Sequence, residues 1–239
     1  MTIPAAGPAT AQPRALIIFA KYPLSGKVKT RLSPPLTPEE AAALYGCMLE
    51  DSVAMARTLS GITPFIFFQN DPGAAQYFKT LAPEILSSPQ AGENLGERLK
   101  NAFAGTFKRG FTEVAVIGTD SPDLPAEYIC EAFSRLDEEQ TDVVFGPAED
   151  GGYYLLGLKR IWGELFRGLP WSSRELLAAS IERAKDLSLG FSLLPSWYDI
   201  DTEADLKRAA LLDKKSPARN TREFLISGLQ PDNQPLSDR

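Results

Sequence analysis

The chain has 239 residues, 44% hydrophobic and 23% charged, with a formal net charge of −6. That size suits one α/β domain whose core needs no disulfide staples, and the acidic balance argues against a broad nucleic-acid surface. Histidine is absent, which excludes a Ser-His-Asp triad, a histidine general base and a His-ligated zinc; carboxylates, lysine or arginine, hydroxyls or an oxygen-held metal must do any chemistry.

Residues 1–13 are rich in Ala, Pro and Thr and read as a loose tail, not a signal peptide. One domain is expected over 14–228, followed by a polar tail over 229–239. No stretch approaches the roughly eighteen apolar residues that span a bilayer. The apolar run ALIIFA over 15–20 predicts a buried first strand. It leads directly into KYPLSGKVKTRL over 21–32, which gathers Lys21, Lys27, Lys29 and Arg31 around Gly26. Glycine lets backbone amides approach an anion and the cations neutralise it, so the loop reads as a phosphate site, with a solvated basic loop as the alternative. Its spacing is neither Walker A nor GxGxxG.

Thr37, Pro38 and Glu40 mark a helix start, with the helix reaching residue 59 and Tyr45 and Met48 in its core face. A strand follows at 64–69, a short helix runs from Asp71-Pro72 to 81, and a third strand is expected at 84–87. Gln90 opens a polar, glycine-punctuated loop, and Asn94 caps a helix that ends near 109. Arg98 in its first turn opposes the helix dipole, which hints at an anionic partner or marks simple exposure. The chain is organised around EVAVIGTDSPDL over 113–124, a buried strand that Pro122 stops. Asp120 therefore sits at the carboxyl end of a central strand, where open α/β sheets bind ligands, and reads as a metal ligand. Asp123 suits the cap of a helix over 126–136.

A strand at 141–146 leads through PAEDGG to a second strand-like run at 153–158. The small residues of that turn could admit a ligand to the backbone. Ser172 and Glu175 form a capping-box pattern for a helix to 187, with Trp171 as a substrate platform or a packing residue at its entry. After a strand at 191–194, Asp199 and Asp201 lie two apart, on one side if extended. Thr202 is expected to cap a helix over 203–212, and Asp201 is either a neighbour of its dipole or a second metal carboxylate. Cys47 and Cys130 fall in predicted helices without CxxC spacing and read as reduced core residues, which fits a cytoplasmic protein.

Alternating strands and helices predict a three-layer α/β/α domain around a mainly parallel sheet. Four motifs, at 19–32, 118–124, 146–153 and 199–202, in that order, resemble the DUF2064 group of glycosyltransferase-A-like proteins. That group is similar to the nucleotide-diphospho-sugar transferases and the 2-phospholactate guanylyltransferases. The resemblance implies a Rossmann-like GT-A fold with a mixed, mainly parallel sheet. It implies nucleotide binding by Ala20, Lys21, Gly26, Lys27, Lys29, Arg31, Gln90, Arg98 and Thr119. It implies catalytic roles for Lys27 on the diphosphate and Asp150 as base, and substrate or acceptor contacts from Gly151, Gly152, Tyr153 and Trp171. Mg²⁺ or Mn²⁺ would bind Asp120 and Asp201. The expected partners are a nucleotide or nucleotide-sugar and an unnamed acceptor. The expected reaction is metal-dependent transfer from a nucleotide-diphospho-sugar. Asp120 and Asp123 form Asp-x-x-Asp in place of the usual Asp-x-Asp, which resembles the nucleotidyltransferase branch. Nucleotidyl transfer with pyrophosphate release is thus the alternative, and a non-catalytic nucleotide-binding module is the third reading.

Overall fold

The computed structural model describes residues 13–228; the expected tails, apart from Pro13, lie outside the described residues. Strand β1 (Arg14–Ala20) is almost wholly buried. It pairs in parallel with β2 (Ile62–Phe68) on one side and β4 (Glu113–Ile117) on the other. Strand β3 (Leu86–Pro89) extends the sheet beyond β2. On the far side, β6 (Tyr153–Leu158) runs antiparallel between β4 and β5 (Val143–Pro147), and β7 (Phe191–Leu193) closes the edge parallel to β5. Among the described residues the order is β3-β2-β1-β4-β6-β5-β7.

Side-chain alternation along the strands divides the core in two. Leu16 and Ile18 face one layer with Leu49, Phe78, Ile129 and Phe133, from helices α1 (Pro38–Thr58), α2 (Ala74–Leu81) and α4 (Ala126–Asp137). Ala15 and Ile17 face the other with Leu99, Phe103 and Ala184, from α3 (Leu95–Phe107) and α5 (Leu176–Asp186). This is the expected three-layer architecture. The chain leaves β1 towards β2 and later resumes on β1's other flank with β4. The crevice outside the ends of β1 and β4 is therefore a topological switch point, where such sheets bind ligands. No described helix is long and apolar enough to cross a membrane.

Several local expectations hold. Thr37 and Glu40 form the capping box of α1, and Asn94 caps α3 through the Glu97 amide. Others are replaced by tertiary contacts. Asp123 does not cap α4; its buried carboxylate accepts the Trp197 Nε1–H at 3.2 Å and the Tyr198 hydroxyl. The Ser172 capping box is absent, because Ser172 has φ +64° and α5 begins only at Leu176. No continuous helix follows Thr202: the Asp205 carboxylate accepts the Asp201 and Thr202 amides and holds a tight turn there. A short helix, α6 (Ala209–Leu212), and an unforeseen one, α7 (Arg219–Gly228), follow.

Helix α7 lies against α1 and is capped from it. Asp51, buried in α1, accepts the backbone amides of Asn220 and Thr221 at 2.9 and 2.8 Å and the Asn220 side chain at 2.9 Å. Asp51→Ala orphans these donors and is expected to cost about 1–3 kcal/mol. Urea unfolding gives that loss, and hydrogen exchange should show α7 amides losing protection before those of β1.

Candidate active site

The site begins where β1 stops. The Lys21 amide donates to the Tyr45 hydroxyl at 2.9 Å, and the same hydroxyl lies 2.7 Å from Thr119 Oγ1. Tyr45, buried on α1, thus ties the ends of β1 and β4 together. Its ring belongs to the core, as the sequence pattern predicts; no local pattern reveals the reach of its hydroxyl. Gln90 adds a second tie. Its Nε2 donates to the Ala20 and Phe67 carbonyls at 3.1 and 3.0 Å.

The basic loop leaves Lys21, Lys27 and Arg31 exposed around Gly26, whose φ of +71° favours glycine. Lys29 differs. Its side chain is only 3% exposed, and its ammonium lies 2.5 Å from Asp120 Oδ1, 3.0 Å from Asp201 Oδ1 and 2.6 Å from the Ile200 carbonyl. Its φ of +47° is left-handed, which costs a non-glycine residue about 1–3 kcal/mol. Burial alone would lower the ammonium pKa; the charges and hydrogen bonds of Asp120 and Asp201 outweigh it and push it up to about 12. In return, although burial works against it, Lys29 holds Asp120 below the ordinary carboxylate range.

The segment carrying Asp199 and Asp201 docks directly on the end of β4. The Ile200 amide donates to the Asp120 carbonyl at 2.8 Å, and the Ser121 hydroxyl donates to Asp199 Oδ1 at 2.8 Å. Burial first, then the charge of Asp120, pushes the Asp199 carboxyl up to about 7, with smaller contributions from Asp150 and Asp201. Asp199 is the site residue to which the sequence reading gave no role, although the paired spacing with Asp201 was its signal.

The Asp150 turn also lines the cleft. Asp150 Oδ1 accepts the Gly152 amide at 2.8 Å. Gly151 is pressed against the neighbouring chain: at φ +92°, a Cβ there would lie 2.1 Å from the Arg174 carbonyl. Glycine here permits that close chain approach. Gly152 and Tyr153 do line the cleft.

Two connected chambers result. One, of about 460 Å³, is lined by Lys21, Lys27, Lys29 and Arg31 and by Asp120, Asp150, Asp199 and Asp201. The other, of about 340 Å³, is lined by Gln90, Arg98 and Trp171 among others and shares Phe19, Lys21, Asp120 and Tyr153 with the first. Trp171 lines the smaller chamber and also packs on Gly96, where a Cβ would lie 2.6 Å from its Nε1. Asp120, Asp199 and Asp201 offer only oxygen donors, the chemistry of Mg²⁺ or Mn²⁺. Among the described residues no group of three acidic side chains forms a ready metal cage. A cation here would need further oxygens, as Mg²⁺ commonly takes from substrate phosphates. Tyr45→Phe keeps the ring and deletes the tie between the two strand ends. It should cost about 1–2 kcal/mol, read from thermal unfolding.

The family model described as an uncharacterized protein conserved in bacteria (DUF2064) matches residues 52–173, a span that includes Gln90, Arg98, Asp120 and Asp150. A phosphoenolpyruvate guanylyltransferase from Nocardia farcinica is 29% identical over 197 residues, covering 81% of this chain and 84% of its own. A 2-phospho-L-lactate guanylyltransferase from Methanothermobacter thermautotrophicus is 31% identical over 199 residues, covering 80% and 82%. A solved structure from Desulfovibrio desulfuricans G20, provisionally named a nucleotide-diphospho-sugar transferase, superposes with a TM-score of 0.81 at 32% identity, covering 90% of this chain and 97% of its own. With that fold, those relatives and that matching span, the chain belongs to the DUF2064 family.

Proposed function

We propose that this transferase is a nucleotidyltransferase that moves a guanylyl group from GTP to a small phosphorylated carboxylic acid and releases pyrophosphate. One observation carries the reading: the exposed cations of the loop after β1 and the carboxylates Asp120 and Asp201 line one cleft at the switch point of the sheet. The names of the two relatives, whose acceptors are phosphate esters of three-carbon acids, support the choice of nucleotidyl over glycosyl transfer.

In this reaction a phosphate oxygen of the acceptor attacks the α-phosphorus of GTP. A P–O bond forms there, the bond to the bridging β-phosphate oxygen breaks, and pyrophosphate leaves with the electron pair. Lys21, Lys27 and the loop amides stabilise the charge that develops on the leaving group. The acceptor phosphate is already ionised near neutral pH, so the step needs no general base. Asp150, whose carboxylate holds its own turn, then acts by shaping the cleft. The charged lining comprises four cations and four carboxylates, which leaves no surplus of positive charge for a triphosphate and a phosphorylated acceptor. Mg²⁺ or Mn²⁺ held by Asp120 and Asp201 would supply that charge.

The smaller chamber suits the base. With both amide hydrogens of Gln90 directed at backbone carbonyls, the side chain has only an acceptor left to offer a ligand. Arg98 lines the same chamber and uses Nε on the Gly92 carbonyl at 3.1 Å, so its terminal nitrogens remain as donors. An acceptor beside a guanidinium complements guanine, with N–H donors at N1 and N2 and acceptors at O6 and N7.

The test pairs each of the four nucleoside triphosphates with phosphoenolpyruvate or 2-phospholactate, with Mg²⁺, and measures pyrophosphate and the joined product by mass spectrometry. Pyrophosphate is expected with GTP and a phosphorylated acceptor; release of nucleoside diphosphate from a nucleotide-sugar, without pyrophosphate from any triphosphate, would overturn the reading. Asp120→Asn should lower turnover at least about 100-fold in a folded protein. Gln90→Leu should raise the KM for GTP about tenfold and narrow the preference for guanine, read from KM across the four nucleotides.

A further inference from the structure

Lys29 stands apart from the other three cations of its loop. Lys21, Lys27 and Arg31 are exposed, and of these Arg31 approaches Asp201 Oδ2, at 3.8 Å; the Lys29 side chain is withdrawn from water, on a left-handed backbone, and all three of its ammonium contacts are with Asp120, Asp201 and the Ile200 carbonyl. A positive charge within 2.5 and 3.0 Å of Asp120 and Asp201 stands where a divalent cation shared by those carboxylates would stand. Both cannot occupy that position, because like charges so close repel strongly.

Resting on the metal reading above, we infer that Lys29 is a built-in counter-ion shared by Asp120 and Asp201 in the free enzyme and must be displaced when a divalent cation binds. Displacement carries a cost to metal affinity, since the released ammonium loses its partners. Incoming nucleotide phosphates give it new ones. Metal and nucleotide therefore bind with positive coupling, and each raises the affinity of the other by the same factor. The device leaves the free enzyme weakly metallated and assembles the charged site only around its substrate. The position of Lys29 suits this exchange: its own loop also carries Lys21 and Lys27, which are exposed and line the same cleft.

Two measurements test it. The first is Mn²⁺ binding without nucleotide, followed by the electron paramagnetic resonance signal of the free ion, in the unaltered protein and in Lys29→Met. The variant should bind Mn²⁺ about tenfold more tightly or better, and the gain in Mn²⁺ affinity on adding GTP should be smaller than in the unaltered protein. Equal or weaker Mn²⁺ binding by a variant with a normal circular dichroism spectrum overturns the inference. The second uses only the unaltered protein, so it decides even if the variant fails to fold. An amine-reactive reagent with peptide mapping should leave Lys29 unlabelled without metal and label it with Mg²⁺. Protection that is unchanged by saturating Mg²⁺ overturns the inference. Absence of Mn²⁺ binding by both proteins, with and without GTP, removes the metal reading itself, and the inference with it; metal binding unaffected by Lys29 removes the inference alone.

Discussion

A buried ammonium is the constraint on which this site depends. Taking the Lys29 charge out of water is costly unless carboxylates and a carbonyl meet it at hydrogen-bond distance. Its partners come from two remote parts of the chain: Asp120 from the end of β4, and Ile200 and Asp201 from the segment after β7. Satisfying one lysine therefore draws three segments to a single point outside the sheet. The strained backbone of Lys29 persists because the surrounding contacts over-determine it.

Apolar packing supplies what the ion pair alone cannot. Leu32 and Leu36 from the exit of the basic loop, Leu44 and Met48 from α1, and Tyr198, Ile200, Leu206 and Leu225 from the C-terminal part form a third core cluster outside the two sheet faces. Burial of this cluster drives the C-terminal segment onto the loop, and the polar contacts then fix its register. Asp123 receives Trp197 and Tyr198 from that segment, Ser121 reaches Asp199, and Arg208 stacks 4.1 Å from the Tyr198 ring while bridging Asp205 and Glu149. Glu149 precedes Asp150, so the same network steadies the Asp150 turn of the cleft. Sites that hold charged groups in fixed geometry need such support, since small displacements weaken electrostatic stabilisation.

Much of this was legible because it is encoded within a few residues. Apolar runs marked β1, β4 and β6. Thr37 with Glu40, and Asn94, marked helix starts that the structure retains. The clustered cations around Gly26 and the acid following EVAVI drew attention to residues that do line one cleft. Where reading failed, a distant partner had claimed the group. Asp123 has the chemistry of a helix cap but lies beside Trp197 and Tyr198, which offer it buried donors. Thr202 resembles a cap, yet Asp205 folds back on it. Helix α7 escaped notice because its cap, Asp51, is donated from another helix, 169 positions away.

The sequence by itself determined the alternation of elements, the buried centre of the sheet and the residue types available for chemistry. These follow from backbone geometry and from hydrophobic periods that act over one or two turns. Tertiary structure alone decided that Lys29 faces carboxylates instead of open solvent, that Tyr45 carries a hydroxyl to Thr119, and that Gly151 serves chain packing. The physical reason is separation: Lys29 and Asp201 are 172 positions apart, Ser121 and Asp199 are 78, and Tyr45 and Thr119 are 74. Contacts of that span leave no periodic trace in the chain; only the packed core sets the distances at which charges and hydroxyls meet.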